Sequence, residues 1–229
     1  QIVSREEWLT ARKDLLVKEK AAARANAKFK EQLRNDFPMV KIDKDYTFEN
    51  PSGKFTLADL FQGRKQLIVY HFMLGPDDEA GCHGCSFTAD NLPSSSTHLN
   101  GADTTLVLIS RAPVAKIEQY KKRMGWDFPW YSSFGTDFNW DYNVSLDEAV
   151  AKPQYKPMEK PTKGEHAGLS VFYMEGNDLF HTYSTYTRGL DSLLVTYHLL
   201  DLTPLGRMEF APKRHDEYSA EDLQGLSLK

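Results

Sequence analysis

Hydrophobic and polar positions change their rhythm several times along the chain. From Ser4 to Pro38, Trp8, Leu9, Leu15, Leu16, Phe29 and Leu33 punctuate a charged, alanine-rich run, and Ser4 with Glu7 makes a capping-box pattern. That spacing predicts one or two amphipathic helices forming an N-terminal arm. Short extended pieces follow: Tyr46-Thr47-Phe48, a turn at Asn50-Pro51-Ser52-Gly53, then Lys54 to Leu57, together a small hairpin. Gln66 to Met73 is a nearly continuous apolar run of the kind a strand buried on both faces shows, and it predicts the central strand. An acidic, glycine-bounded loop, Gly75 to Gly81, delivers the chain to Cys82, after which Cys85, Phe87, Leu92 and Leu99 suggest a helix interrupted near Pro93.

The second half alternates in the same way. Thr104 to Ser110 reads as a second buried strand, and Pro113 opens a helix that runs through Met124 and stops at Gly125. Strand, helix, strand, helix implies a parallel pair. Aromatic residues crowd Trp126 to Tyr142, and the proline- and lysine-rich stretch Ala151 to Gly164 marks a surface insertion. Gly168 to Tyr173 and Leu179 to Tyr186 flank a Glu175-Gly176-Asn177-Asp178 turn as an antiparallel hairpin, and Gly189 to Leu200 closes as a helix. After Pro204 the residues are charged and read as a loosely held tail. The expected organisation is an arm over 1–37, one domain over 38–205 and a tail over 206–229.

Composition narrows the classes. With 229 residues and 41% hydrophobic content the chain can bury one large core. Twenty-eight basic against 32 acidic side chains give a formal charge of −4 without a long basic run, so neither nucleic acid nor an anionic membrane is an expected partner. The longest apolar stretches are too short to span a bilayer and the amino terminus is charged and helical, which together predict a cytoplasmic protein. The arm either packs on its own domain or pairs two copies into a homodimer.

The only two cysteines stand three positions apart in Cys82-His83-Gly84-Cys85, at the predicted start of a helix. Residues three apart on a helix share a face and lie within the span a disulfide closes. A thiol at a helix N-terminus is stabilised as thiolate by unpaired amides and the helix dipole. Redox chemistry is therefore the first reading. A metal site is a second, but zinc takes four ligands and no pair of histidines stands at H-x(3–5)-H spacing, although distant ligands can converge. Two inert buried side chains are the third.

The order of elements is that of a thioredoxin fold with the N-terminal additions of peroxiredoxins, and particular motifs narrow the match. His71-Phe72-Met73, Gly81-Cys82-His83-Gly84-Cys85-Ser86-Phe87, Ser110-Arg111-Ala112-Pro113, Gly125-Trp126-Asp127-Phe128-Pro129 and His181-Thr182-Tyr183-Ser184-Thr185-Tyr186 resemble the thioredoxin-like family known as domain of unknown function 899, over most of residues 1 to 210. The resemblance implies an α/β, thioredoxin-like fold of peroxiredoxin type: a mixed central sheet flanked by helices, with an N-terminal helical arm. It also implies a dithiol-disulfide oxidoreductase acting on a disulfide or thiol substrate, protein or small molecule, with no cofactor and no resident metal. Two positions depart from better-known relatives. Thioredoxins carry a cis-proline where this chain has Glu165-His166-Ala167-Gly168-Leu169, and peroxiredoxins carry a threonine where it has Glu79, which disfavours a true peroxiredoxin.

On this reading Cys82 is the attacking thiolate and Cys85 the resolving thiol, because the first projects from the helix end and the second starts a turn further in. His83 would lower the Cys82 pKa if protonated, whereas Asp77, Asp78 and Glu79 would raise it if turned inward. His71 is either a proton shuttle beneath the cysteines or a satisfied core histidine. Arg111 lies at the carboxyl edge of the sheet, where ligands collect, and Arg188 at a turn; both equally suit ion pairs. The aromatics of Trp126 to Tyr142 suit either an apolar substrate slot or core. The competing functions are a metal- or cofactor-binding thioredoxin-like protein without redox turnover, and a thiol peroxidase.

Overall fold

The computed structural model describes residues 1–147, 149–150, 163–208 and 210–224. The chain divides into two compact units, Gln1–Met39 and Val40–Lys229. The first is dominated by one helix, α1 (Arg5–Asn35). Ser4 caps it: its Oγ accepts the Glu7 N–H while the Glu7 carboxylate takes the Ser4 N–H, and no residue of the helix is buried. The sequence left one helix or two open, and the answer is a single helix of 31 residues. Among the described residues no helix is long and apolar enough to cross a membrane.

The second unit is built on strands β1 (Val40–Lys41), β2 (Thr47–Asn50), β3 (Gly53–Thr56), β4 (Gln66–His71), β5 (Thr104–Ser110), β6 (Trp130–Ser132), β7 (Ser145–Leu146), β8 (Gly164–Glu165), β9 (Gly168–Glu175) and β10 (Asp178–Tyr186). Its helices are α2 (His83–Asn91), α3 (Thr97–Gly101), α4 (Val114–Met124), α5 (Phe138–Asp141), α6 (Val195–Leu200) and α7 (Ala220–Leu223). Eight strands form one mixed sheet in the order β1-β10-β9-β4-β5-β6-β2-β3. β4 runs parallel to β5 and β5 to β6, while β9 joins the other side of β4 antiparallel, Val69 opposite Ser170. This parallel β-α-β pair bordered by an antiparallel hairpin, with helices on the sheet, is a thioredoxin-like fold of peroxiredoxin type.

Alternation along the two central strands sorts the core into two layers, because neighbouring side chains point to opposite faces of a sheet. Tyr70, Leu106 and Leu108 face a cluster with Cys85 and Ala89 of α2, Ile117 and Tyr120 of α4, and Trp130. Leu67, Val69, Val107 and Ile109 face the other way, onto Phe48, Leu60, Phe61, Phe138 and Phe172. All seven residues of β5 are buried, which is why its sequence shows no polar alternation.

Local signals set the helix ends. Pro113 caps α4, and Gly125 ends it at φ +65°, a left-handed turn that glycine adopts without strain. α2 stops at Leu92, before Pro93, and α3 begins four residues later. The expected helix over Gly189 to Leu200 is in fact a 3-10 segment, Thr187–Leu193, followed by α6. Of the insertion at 151–164, residues 151–162 lie outside the described residues.

The sequence's loosely held tail is corrected by the structure: residues 210–218 lie on α2 and α4. Phe210 meets Phe87 edge to face, His215 bonds Asp90, and Arg123 holds Asp216 through two hydrogen bonds of 2.7 and 3.1 Å. Charge made this stretch look solvated, but its charges have partners on the folded surface.

Phe138 is fully buried and its ring meets Tyr46, Phe48 and Tyr142 within 5.1 Å. Phe138→Ala is expected to destabilise the protein by about 3–5 kcal/mol, measured by urea unfolding, because the surrounding rings collapse only partly onto the space left.

Candidate active site

β4 ends at His71, and the residue two positions on, Met73, fixes both cysteines. Its carbonyl accepts the Cys82 N–H at 3.1 Å, and its own N–H donates to Cys85 Sγ at 3.4 Å. Gly81 precedes them because nothing larger fits: a Cβ there would lie 2.6 Å from atoms of both the Phe72 and the Tyr120 rings. Cys82 is the N-cap of α2 and partly exposed, whereas Cys85, in the first turn, is 1% exposed. Both thiols are free.

Their surroundings drive the two pKa values apart. The Cys85 thiol donates a hydrogen bond to Cys82, and the N–H groups of Cys85 and Gly84 lie against the same sulfur; against partial burial, these pull Cys82 down to about 5. Cys85 goes the other way, well above its ordinary value, because it is buried, donates to Cys82 and lies beside that anion. The Tyr70 hydroxyl and the Met73 N–H moderate the rise. Sequence left the sign of the Cys82 shift open, since carboxylates precede it. Asp78 resolves part of that question: its carboxylate is taken by the Gly75 N–H at 2.6 Å, within its own loop.

A cleft of about 290 Å³ opens over the pair. Tyr70, Met73 and both cysteines form one wall, and Ala167, Leu190 and Leu194 stand among the residues opposite. His166 and Ala167, just before β9, line the same cleft as the two cysteines.

The supporting residues distribute differently from expectation. His83 does not line the cleft; its Nε2 turns to the tail, 3.0 Å from an Arg214 guanidinium nitrogen and 3.1 Å from the Glu217 carboxylate. His71 belongs to the opposite face of the sheet from the cysteines, against Phe138 and Tyr142, so the proton-shuttle reading fails on geometry. Burial, with His181 nearby, pushes its pKa down to about 3, and a neutral ring bonded to Ser170 Oγ at 2.8 Å is a core group. Arg111 pairs with Glu165 at 2.8 Å and lies over the Trp140 ring, where it steadies the start of the segment facing the cysteines without touching them. Arg188 is 91% exposed and pairs with Asp191. The aromatics of the middle stretch are mostly core: Trp130, Tyr131, Phe138 and Tyr142 are buried, and none lines the cleft.

Sequence reasoning missed four participants. Tyr70 was visible in principle, since it precedes His71 and so points to the other face of the strand, toward α2. Ser86 Oγ bonds both the Cys82 carbonyl and the Tyr120 hydroxyl, bracing the first turn from behind. Arg214 and Glu217 carried no local signal. Among the described residues no group of three or more His, Cys, Asp or Glu side chains is gathered as a metal would need.

A thioredoxin-like fold presenting two cysteines at a helix N-terminus is the class that fold and site define. The chain belongs to the family described as bacterial protein of unknown function, DUF899, whose model matches residues 1–221. No curated protein matches it. Among solved structures it is similar to peroxidoxin BcpB of Mycobacterium tuberculosis (13% identity, TM-score 0.49, covering 72% of this chain and 97% of that one). It is also similar to peroxiredoxin Q of Xanthomonas campestris (16%, 0.42, 69% and 91%) and to the mitochondrial 2-Cys peroxiredoxin of Plasmodium falciparum (15%, 0.43, 70% and 92%).

Thiolate absorbance of the reduced protein at 240 nm should titrate with a midpoint near 5 in wild type and lose that transition in Cys82→Ser. The shift also fixes a sign for stability. The folded pKa lies below the ordinary 9.0, so this contribution is complete above pH 9 and disappears as pH falls toward 5. The urea midpoint of reduced wild type should therefore exceed that of Cys82→Ser increasingly from pH 5 to pH 9.

Proposed function

We propose that the protein is a thiol-disulfide oxidoreductase in which Cys82 and Cys85 cycle between dithiol and disulfide. The observation that carries this reading is the placement of the two thiols, Cys82 partly exposed at the N-cap of α2 and Cys85 buried one turn in, both held by Met73; the lowered Cys82 pKa and the raised Cys85 pKa agree with it. A thiol at the ordinary 9.0 is only about 1% thiolate at pH 7, whereas one near 5 is almost wholly ionised.

In the first step the Cys82 thiolate attacks one sulfur of a substrate disulfide, forming a mixed disulfide and releasing the other half as thiolate. The Cys82 negative charge is thereby lost, and with it two of the influences that hold the Cys85 pKa up. Cys85 then attacks Cys82 Sγ, and its proton leaves with the second half of the substrate as a thiol. The half released first takes a proton from water, so the products are two substrate thiols and the Cys82–Cys85 disulfide, and an external dithiol reductant returns the two electrons. The cleft admits the substrate along the Cys82 side, and Tyr70, bonded to Cys85, steadies the buried sulfur throughout.

Insulin reduction by dithiothreitol tests the activity. Wild type should accelerate it, Cys82→Ser should not, and Cys85→Ser should accumulate the mixed disulfide, seen by intact-mass spectrometry as an adduct that thiol reductant removes. Titration in glutathione or dithiothreitol redox buffers should show one two-electron transition. Equal rates for wild type and Cys82→Ser, with no internal disulfide at any poise, would refute the proposal; consumption of alkyl or hydrogen peroxide at the expense of that same pair would replace it with a peroxidase.

A further inference from the structure

The C-terminal segment 210–218 brings a guanidinium to the loop that carries Cys82. Arg214 Nε donates to the Gly81 carbonyl at 2.8 Å, one residue before the nucleophile and 133 residues away in sequence. A second guanidinium nitrogen lies 3.0 Å from His83 Nε2, one residue after it. Arg214 thus grips Cys82 from both chain neighbours. Its side chain is only 14% exposed, and Glu217, 2.7 Å away, balances its charge. Glu217 is anchored in turn by Arg123 of α4 at 3.0 Å, and Arg214 also interacts with Tyr120, whose hydroxyl holds Ser86 in the first turn of α2. Phe210 and His215, the latter against Trp126 and Asp90, secure the segment on either side.

We infer that Arg214 is a positioning residue for Cys82: the tail clamps the Gly81–Cys82–His83 backbone so that the amides of Gly84 and Cys85 stay aimed at the sulfur, and it adds a cation to the same neighbourhood. The inference deepens the redox reading given above and rests on it only for its functional consequence. Several observations converge on a precise arrangement. Gly81 has no lateral freedom, since the Phe72 and Tyr120 rings close on it. Its carbonyl is taken by a charged donor, and hydrogen bonds of that type are about twice as strong as neutral ones. The same guanidinium is shared between His83 and Glu217, so the imidazole at position 83 is held away from the cleft and stays beside the thiolate as a neighbour of fixed geometry. Arginine suits this post better than lysine: a planar fork addresses the carbonyl, the imidazole and the carboxylate at once, which a single ammonium cannot do.

The test reads Cys82 ionisation directly. In reduced full-length protein, Arg214→Met should raise the midpoint of the 240 nm thiolate titration by about one pH unit, which slows iodoacetamide alkylation of Cys82 at pH 5.5 by about threefold through the smaller thiolate fraction. Arg214→Lys should recover part of the shift. Lys213→Ala, which breaks the 2.8 Å tail pair with Asp222 beside it, should leave the titration unchanged. Circular dichroism and thermal melting check that each variant is folded. A Cys82 midpoint in folded Arg214→Met equal to wild type, or a shift of the same size in Lys213→Ala, would overturn the inference. Because alkylation and titration need no turnover, a shifted midpoint in a protein that forms no Cys82–Cys85 disulfide would retain the clamp and remove only the redox proposal.

Discussion

The grip of Met73 on both cysteines is the constraint from which the site follows. One residue, two positions beyond the central strand, accepts the Cys82 N–H through its carbonyl and donates its N–H to Cys85 Sγ, so the strand end and the helix start are joined at the two cysteines. A buried strand is the stiffest part of a sheet, and α2 begins against it, not at the tip of a free loop. The consequence is electrostatic as much as steric. Cys85 is buried, accepts the Met73 N–H and donates to Cys82, while the amides of Gly84 and Cys85 lie against the Cys82 sulfur; the hydrogen bond between the two sulfurs lowers one pKa and raises the other. Both shifts change if the helix start moves, because each depends in part on the other sulfur; the part of the Cys85 rise that comes from burial remains.

This interdependence also supplies the driving logic for a two-step exchange. Burial is the largest cause of the raised Cys85 pKa, and the hydrogen bond to Cys82 and the Cys82 anion add to it. In the proposed exchange, reaction at Cys82 would remove that anion, so Cys85 would ionise more readily only after the first bond has formed. Burial alone would not give this order of events: a buried cysteine away from the first would keep its raised pKa throughout.

Much of the scaffold was legible in the letters because its signals are local. The run Gln66 to Met73 reads as a buried strand, Pro113 and Gly125 bound a helix, and a two-residue Gly176-Asn177 turn joins β9 to β10. The candidate nucleophile was legible too, from two cysteines three apart. What the letters hid is relational. His71 and Tyr70 are adjacent and both polar-tipped, and only the parity of β4, with Leu67 and Val69 on one face, decides that the tyrosine meets the sulfurs while the histidine turns to Phe138 and Tyr142. That parity was available from the alternation, but a continuous apolar run conceals which face is which.

The tail was the larger omission, and its cause is general. Residues 210–218 are rich in charge, and charge in sequence reads as solvation because its partners are invisible. Here they lie 93 to 133 residues upstream: Arg123 for Asp216, Asp90 for His215, the Gly81 carbonyl for Arg214. Exposed ion pairs of this kind contribute little one by one. Their weight comes from joining one segment at several points around a partly buried guanidinium, so the ordering cost is shared among the contacts. What docks this charged stretch is a pair of ring contacts, Phe210 on Phe87 and His215 on Trp126, beside its ion pairs. The stretch differs from α1, whose charges run for 31 residues with no buried position.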